Sequence, residues 1–465
     1  MKLSLQRYSN TVPILKKHAQ RHVTMLSSIL LLGATLWLGG CQKTNEADPK
    51  STLKTVDAIE AEVALKWADL TLKLIRTTSG FTPPVASRAL GYAGVTLYES
   101  VAPGTSNYQS LVGQLNQLSN VPKAEVSQEY EWAIVANAGQ AAILKNLFAN
   151  TTLANKTTID SLETALNAAY KTTEISLETF DRSVKFGRDV ATSIFEWSKT
   201  DNGHEGYLRN QPKDYVPPVG VGLWVQTTAG DAGRAMQPYW GLNRPFVGSN
   251  TAVIPPAPLK YSTDISSPFF TQGLEVYSVG KNLTDEQKTI ALFWADGGNT
   301  ITPPGHSYSL TSIAIKKANA KLDKAAEAYA KVGISVADAF ICCWKCKYQY
   351  NLMRPVTYIN SAIDPNWKPL IATPPFPDYL SGHSTQSGAF SQVLSDLFGY
   401  NFSFADNTHE ARGFKARSFS NFYDAADEAA ISRLYGGIHY RAANEIGLSE
   451  GRKLGRNVSS LKFKK

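Results

Sequence analysis

The chain has 465 residues, 43% of them hydrophobic and 11% aromatic, which is enough to bury one large core or two medium ones and excludes disorder as its main state. Its formal net charge is +8, but five basic residues and no acidic ones precede Cys41, so the remainder carries only +3. That balance gives no argument for a nucleic-acid partner.

In chain order, the first element is a leader. Lys2, Arg7, Lys16, Lys17 and Arg21 precede the apolar run MLSSILLLGATLWLGGC, which begins at Met25, an alternative start. The run falls short of the roughly 20 residues a membrane-crossing helix needs. Leu38-Gly39-Gly40 before Cys41 is similar to a bacterial lipobox, in which small residues admit the signal peptidase and the cysteine thiol takes the lipid. Residues 1–40 therefore read as a lipoprotein signal peptide and Cys41 as the lipidation site. Gln42 is not the aspartate associated with inner-membrane retention, so an outer-membrane place in the cell envelope is expected. Residues 41–56 read as a flexible tether.

Residues 57–200 show successive helical patterns, with apolar residues three and four apart in AEVALKWADLTLKLIR, VASRALGYAGVTLYESV, EYEWAIVANAGQAAILKNLF and DRSVKFGRDVATSIFEWSK. They predict an N-terminal helical bundle. Residues 201–275 shift to Pro, Gly and aromatics and predict an irregular connection, long enough to be functional or a wrapping linker. Residues 276–465 predict a C-terminal bundle holding the site. It starts with a capping box at TDEQ from Thr284 and is broken by TPPGH at 302–306. Two helices follow, up to Pro355, and then one after Gly382, one at about Asp424 to Tyr435, and one after His439. The fold class is all-α: two packed helical bundles. Cys342, Cys343 and Cys346 read as core thiols, since they lack a second ligand pair.

Three segments carry chemistry. On one continuous helix Lys347 and Arg354 would lie within about 20° of each other, with Trp344 and Asn351 along the same stripe, and apolar neighbours suggest burial. Buried cations need an anion. In PPFPDYLSGHST the prolines hold the chain extended, so Ser381, Gly382 and His383 open a helix, where free N–H groups and the dipole favour an anion. In SRLYGGIHYR a continuous helix would set Arg433 and His439 about 240° apart, but Gly436-Gly437 breaks it and lets His439 return beside Arg433. Together these form an oxyanion cage, with Arg donating in pairs and Lys as a point charge.

The pattern K-x6-R-P, S-G-H and S-R-x3-G-x-H resembles the superfamily of vanadium-dependent haloperoxidases and type 2 phosphatidic acid phosphatases over about residues 338–456. FWADGGNTITPPGHS and YWGLNRPF look like its bacterial haloperoxidase branch. The resemblance implies a vanadate cofactor, whose place phosphate can take, held by Lys347, Arg354, Ser381, Gly382 and Arg433. It implies His439 as the metal ligand, His383 as the acid–base group and Lys347 as a catalytic cation, with Trp344 and Phe376 lining the pocket. The implied partners are hydrogen peroxide, halide and organic acceptors; halide preference and oligomeric state stay open. The alternative is an acid phosphatase with His439 as the phosphoryl acceptor. Leu380 replaces the usual proline, and Ala443 stands where the resemblance expects an acid to orient His439, leaving Asn444 or a backbone carbonyl for that task. Asp296 and His306 match by resemblance without a role, and His204 reads as a loop residue.

Overall fold

The computed structural model describes residues 54–230 and 233–465; the leader, Cys41 and most of the tether lie outside the described residues. Val56, placed by sequence at the end of that tether, is instead buried in a short 3-10 turn, Val56–Ala58. The apolar side chain has a core to enter, so order begins there.

The structure is mainly helical. The N-terminal helices are α1 (Glu62–Thr77), α2 (Pro83–Val101), α3 (Trp132–Leu147), α4 (Leu153–Tyr170) and α5 (Leu177–Ser198). Their starts follow local chemistry: Thr152 and Ser176 cap α4 and α5 by accepting the N–H groups of Asn155 and Thr179, and α2 opens on two prolines, where a missing N–H costs no hydrogen bond. α2 is buried along nearly its whole length.

A short turn, α6 (Gly248–Thr251), lies in the irregular stretch. Helical structure resumes at α7 (Pro268–Lys281), inside the 201–275 range expected to be irregular, because Ser267 caps it and Pro268 opens it. α8 (Asp285–Phe293) carries the expected capping box between Thr284 and Gln287. TPPGH does not break the chain as expected. Its prolines sit in the first turn, where they are tolerated, and α9 (Thr302–Lys317) starts there. The break comes at Asn319, which adopts φ 47°, and α10 (Leu322–Tyr350) then runs 29 residues, about 43 Å. Mid-helix Gly333 is required by packing: a Cβ there would lie 2.5 Å from the Leu90 carbonyl oxygen of α2.

The remaining elements are α11 (Pro355–Ala362), α12 (Gly382–Phe398), an antiparallel ribbon of β1 (Phe404–Asp406) and β2 (Arg417–Phe419), α13 (Phe422–Tyr435) and α14 (Arg441–Ser459). α12 and α14 approach through glycines: a Cβ on Gly451 would stand 2.0 Å from the Thr385 carbonyl oxygen. The three cysteines are buried and free, as core thiols.

The irregular stretch wraps the site. Trp224 N–H donates to Asn351 O at 2.7 Å, Met353 N–H to Gly222 O at 3.0 Å, and Met236 N–H to Pro375 O at 2.9 Å. Its end is clipped to α10 by Asp338, which accepts from Phe246 N–H (2.6 Å), Val247 N–H (3.0 Å) and Asn250 Nδ2 (2.7 Å).

Candidate active site

Lys347 and Arg354 are wholly buried but do not share a helix. α10 stops at Tyr350 because Asn351 turns left-handed (φ 45°), and Arg354 is the N-cap of α11, ahead of Pro355. The expected single stripe is therefore wrong; a turn, not a helix face, brings the two cations to the same loop. Lys347 Nζ donates to the carbonyls of Pro377 (2.9 Å), Asp378 (2.9 Å) and Leu380 (2.5 Å), which uses all three of its protons. Arg354 Nε donates to Phe376 O at 2.7 Å, and Nη1 reaches Ile438 O at 2.7 Å and His439 Nε2 at 3.1 Å. Its Nη2 is buried with no protein partner. Phe376 lies under both cations, 4.9 Å from Lys347 Nζ and 4.8 Å from the Arg354 guanidinium carbon.

The proline loop delivers Ser381 as the N-cap of α12. Its hydroxyl accepts from Ser384 Oγ (2.9 Å) and more weakly from Ser384 N–H (3.4 Å), so Ser381 is engaged as a cap. Helix geometry leaves the N–H groups of Gly382 and His383 without intrahelical acceptors. From the other side, α13 ends at Tyr435, Gly437 takes φ 74°, and His439 follows in the turn before α14. Arg433, in the last turn of α13, donates through Nη2 to Ala291 O at 3.0 Å.

Gly382, His383, Arg433 and His439 line one cavity of about 750 Å³ with Trp344 and Phe376. Asp296 is on its wall, and His306 lies behind, 2.9 Å from Asp296. His204 stands elsewhere, edge-on to Phe195, as a loop residue.

The acid that stands beside His439 is Asp378, which the sequence reading missed. His439 Nδ1 lies 2.9 Å from Asp378 Oδ1, although the contact is poorly aligned and completes no well-formed hydrogen bond. Asn444, which with a backbone carbonyl was one of two groups expected to orient His439, instead accepts from Ser384 Oγ at 3.3 Å. The signal for Asp378 was an acidic residue between Pro377 and Ser381 in a loop that had to be buried.

The electrostatics point one way. Burial lowers the pKa of Lys347 to about 8, and burial lowers Arg354 and Arg433 to about 10. Burial, then Arg354, Lys347 and Arg433, push His439 well below the usual imidazole range; burial and Arg433 do the same to His383. Both rings rest neutral. His383 Nε2 is buried with no protein partner. Vanadate fits these residues: Arg354 Nη2 and the first-turn N–H groups of α12 are available to a tetrahedral anion, and neutral His439 presents Nε2 on the Arg354 side of the same site.

An interior that holds three cations with so little counter-charge is built around an anion, and the class it defines is a helical oxyanion-binding protein. Residues 327–464 match the family model for the VCPO second helical-bundle domain. The vanadium chloroperoxidase of Curvularia inaequalis is 32% identical over 134 residues, which are 23% of this chain and 22% of that protein. The crystal structure described as that of the first bacterial vanadium-dependent iodoperoxidase superposes with a TM-score of 0.78 at 38% identity, over 87% of this chain and 97% of that one. An apo-type bacterial vanadium-dependent chloroperoxidase (TM-score 0.61, 17% identity, 81% and 92% covered) shares the fold. The chain belongs to the vanadium-dependent haloperoxidases.

Proposed function

We propose that this protein is a vanadate-dependent haloperoxidase that oxidises halide with hydrogen peroxide to hypohalous acid. The observation that carries this reading is the unpartnered Arg354 Nη2 and His383 Nε2 beside a neutral His439, with cations buried around them. Arg354, Arg433, Gly382 and His439 would hold vanadate. Lys347 and Ser381 act mainly on the loop: the ammonium gathers three carbonyls, and the hydroxyl caps α12. When bound, vanadate supplies a Lewis-acid centre that activates peroxide toward halide without changing oxidation state.

His383, a neutral ring on the cavity wall, would take a proton from incoming peroxide. It returns the proton as hypohalous acid leaves. Trp344 and Phe376 wall the cavity and keep water from the cations. Family membership, not the want of an acid beside His439, weighs against the phosphatase alternative, since Asp378 stands 2.9 Å from its Nδ1.

Purified protein loaded with orthovanadate is expected to consume peroxide in a halide-dependent way and to leave phosphate esters intact. Ester hydrolysis without halide turnover in the vanadium-loaded protein would reverse the assignment. We also propose lipid attachment at Cys41 and residence in the outer membrane. The lipobox pattern supports this, and among the described residues no helix is long and apolar enough to cross a membrane. Labelled palmitate should enter the wild type and not Cys41→Ala; equal labelling of both would end that reading.

A further inference from the structure

Hypohalous acid is a two-electron oxidant, and the softest nucleophiles it meets in a protein are sulfur atoms. Among the described residues five side chains carry sulfur: Met236, Met353, Cys342, Cys343 and Cys346. Met353 and the three cysteines are buried, at most 7% exposed, and none of the four lines the cavity that holds His383, Arg433 and His439. Met236 is the exception. It is half-buried and stands on the cavity wall with Trp344 and Phe376.

The backbone of Met236 is pinned there on three sides. Its N–H donates to Pro375 O at 2.9 Å, and its carbonyl accepts from Trp344 Nε1 at 3.2 Å and from the Tyr348 hydroxyl at 2.6 Å. One residue thus joins the wrapping stretch to α10 and to the proline loop. Trp344 in turn reaches the cage, since a Cβ on Gly382 would lie 3.4 Å from its ring carbon Cζ3. A single indole therefore separates Met236 from the first turn of α12. With the backbone fixed, the unbranched thioether is the part left to turn towards the cavity.

We propose that Met236 is a sacrificial trap for hypohalous acid formed at the cage, and that its oxidation spares the Trp344 indole on the same wall. The thioether sulfur attacks the halogen and hydroxide leaves; water then adds its oxygen to sulfur as halide departs. Sulfur loses two electrons and the halogen gains them. Hydroxide takes up one of the released protons and replaces the water consumed, so the net products are methionine sulfoxide, halide and one proton. Reductases return the sulfoxide to the thioether, which makes such a trap renewable. The proposal rests on the haloperoxidase reading for its oxidant, and on the cavity alone for its site.

The test gives vanadate-loaded protein peroxide with iodide or bromide and weighs its peptides by mass spectrometry. An excess of a methionine-rich protein in solution consumes any oxidant that escapes. Met236 is expected to gain an oxygen at least about 10-fold faster than Met353, and to stay unmodified when halide is left out. Met236→Leu keeps the volume and removes the sulfur, so Trp344 should gain oxygen about 10-fold faster there than in the wild type. Halide turnover with Met236 unmodified, with Met353 oxidised as fast, or with sulfoxide that forms equally without halide overturns the proposal. So does an intact Trp344 in Met236→Leu after the same number of turnovers. If no halide turns over, an equivalent of hypobromite added to the resting protein separates the two readings. Selective sulfoxide at Met236 then leaves the site standing and removes the haloperoxidase assignment, whereas equal oxidation of Met353 removes the site.

Discussion

The carboxylate of Asp378 is flanked by basic groups: His439 Nδ1 at 2.9 Å, Arg354 Nη1 at 3.9 Å, and Lys347, whose ammonium holds the backbone carbonyl of the same residue. Burial nonetheless raises its pKa to about 7, with Arg354 and Lys347 pulling it down. It is thus poised to balance charge in the cage beside the His439 ring. Asp378→Asn keeps the shape and removes the charge, and orthovanadate should bind about 10–100-fold more weakly by calorimetry. The same variant has a signature in stability. A carboxyl whose pKa rises on folding holds its proton more tightly in the native state, so its contribution falls as pH climbs from about 4 towards 7. Glu99 and Asp338 are also raised to about 7, so Asp378→Asn should flatten that slope in denaturant unfolding without abolishing it.

Among the elements, α12 and α14 set the width of the site. α12 starts with Gly382 and His383, α14 begins two residues after His439, and the helices meet with almost no side chain between them. A methyl group at Gly451 would press on the Thr385 backbone, which cannot turn aside as a side chain could. Gly451→Ala should cost about 1–3 kcal/mol, seen as a lower urea midpoint at unchanged slope. It should also weaken orthovanadate binding, because the N-terminus of α12 shifts relative to His439. Gly248→Ala, where nothing lies within 4 Å of an added Cβ, is the control and should bind normally. The N-terminal helices were legible from apolar periodicity, and the Thr284 cap from its box. The start of α9 was not, because prolines that stop a helix from within also start one. Nor were β1 and β2, since three residues are too few to display an alternation.

Across the whole molecule, the motifs around Lys347, Ser381 and Arg433 named the cage because each is a local pattern with its own chemistry. One partner was hidden: Asp378 acquires meaning only through contacts that chain order does not reveal. The same is true of the stretch after Asp201, whose composition said only that it is irregular. Its role appears in the hydrogen bonds it makes to Asn351 and Met353, between the two buried cations in the chain, and to Pro375 on the proline loop. This stretch works as a belt with two buckles, one at the end of α10 and one on the proline loop, and its outer bend carries Val219 at 99% exposure. A protease nick at that bend would loosen both buckles together, so the chain's endurance against digestion and its grip on an anion depend on the same girdle.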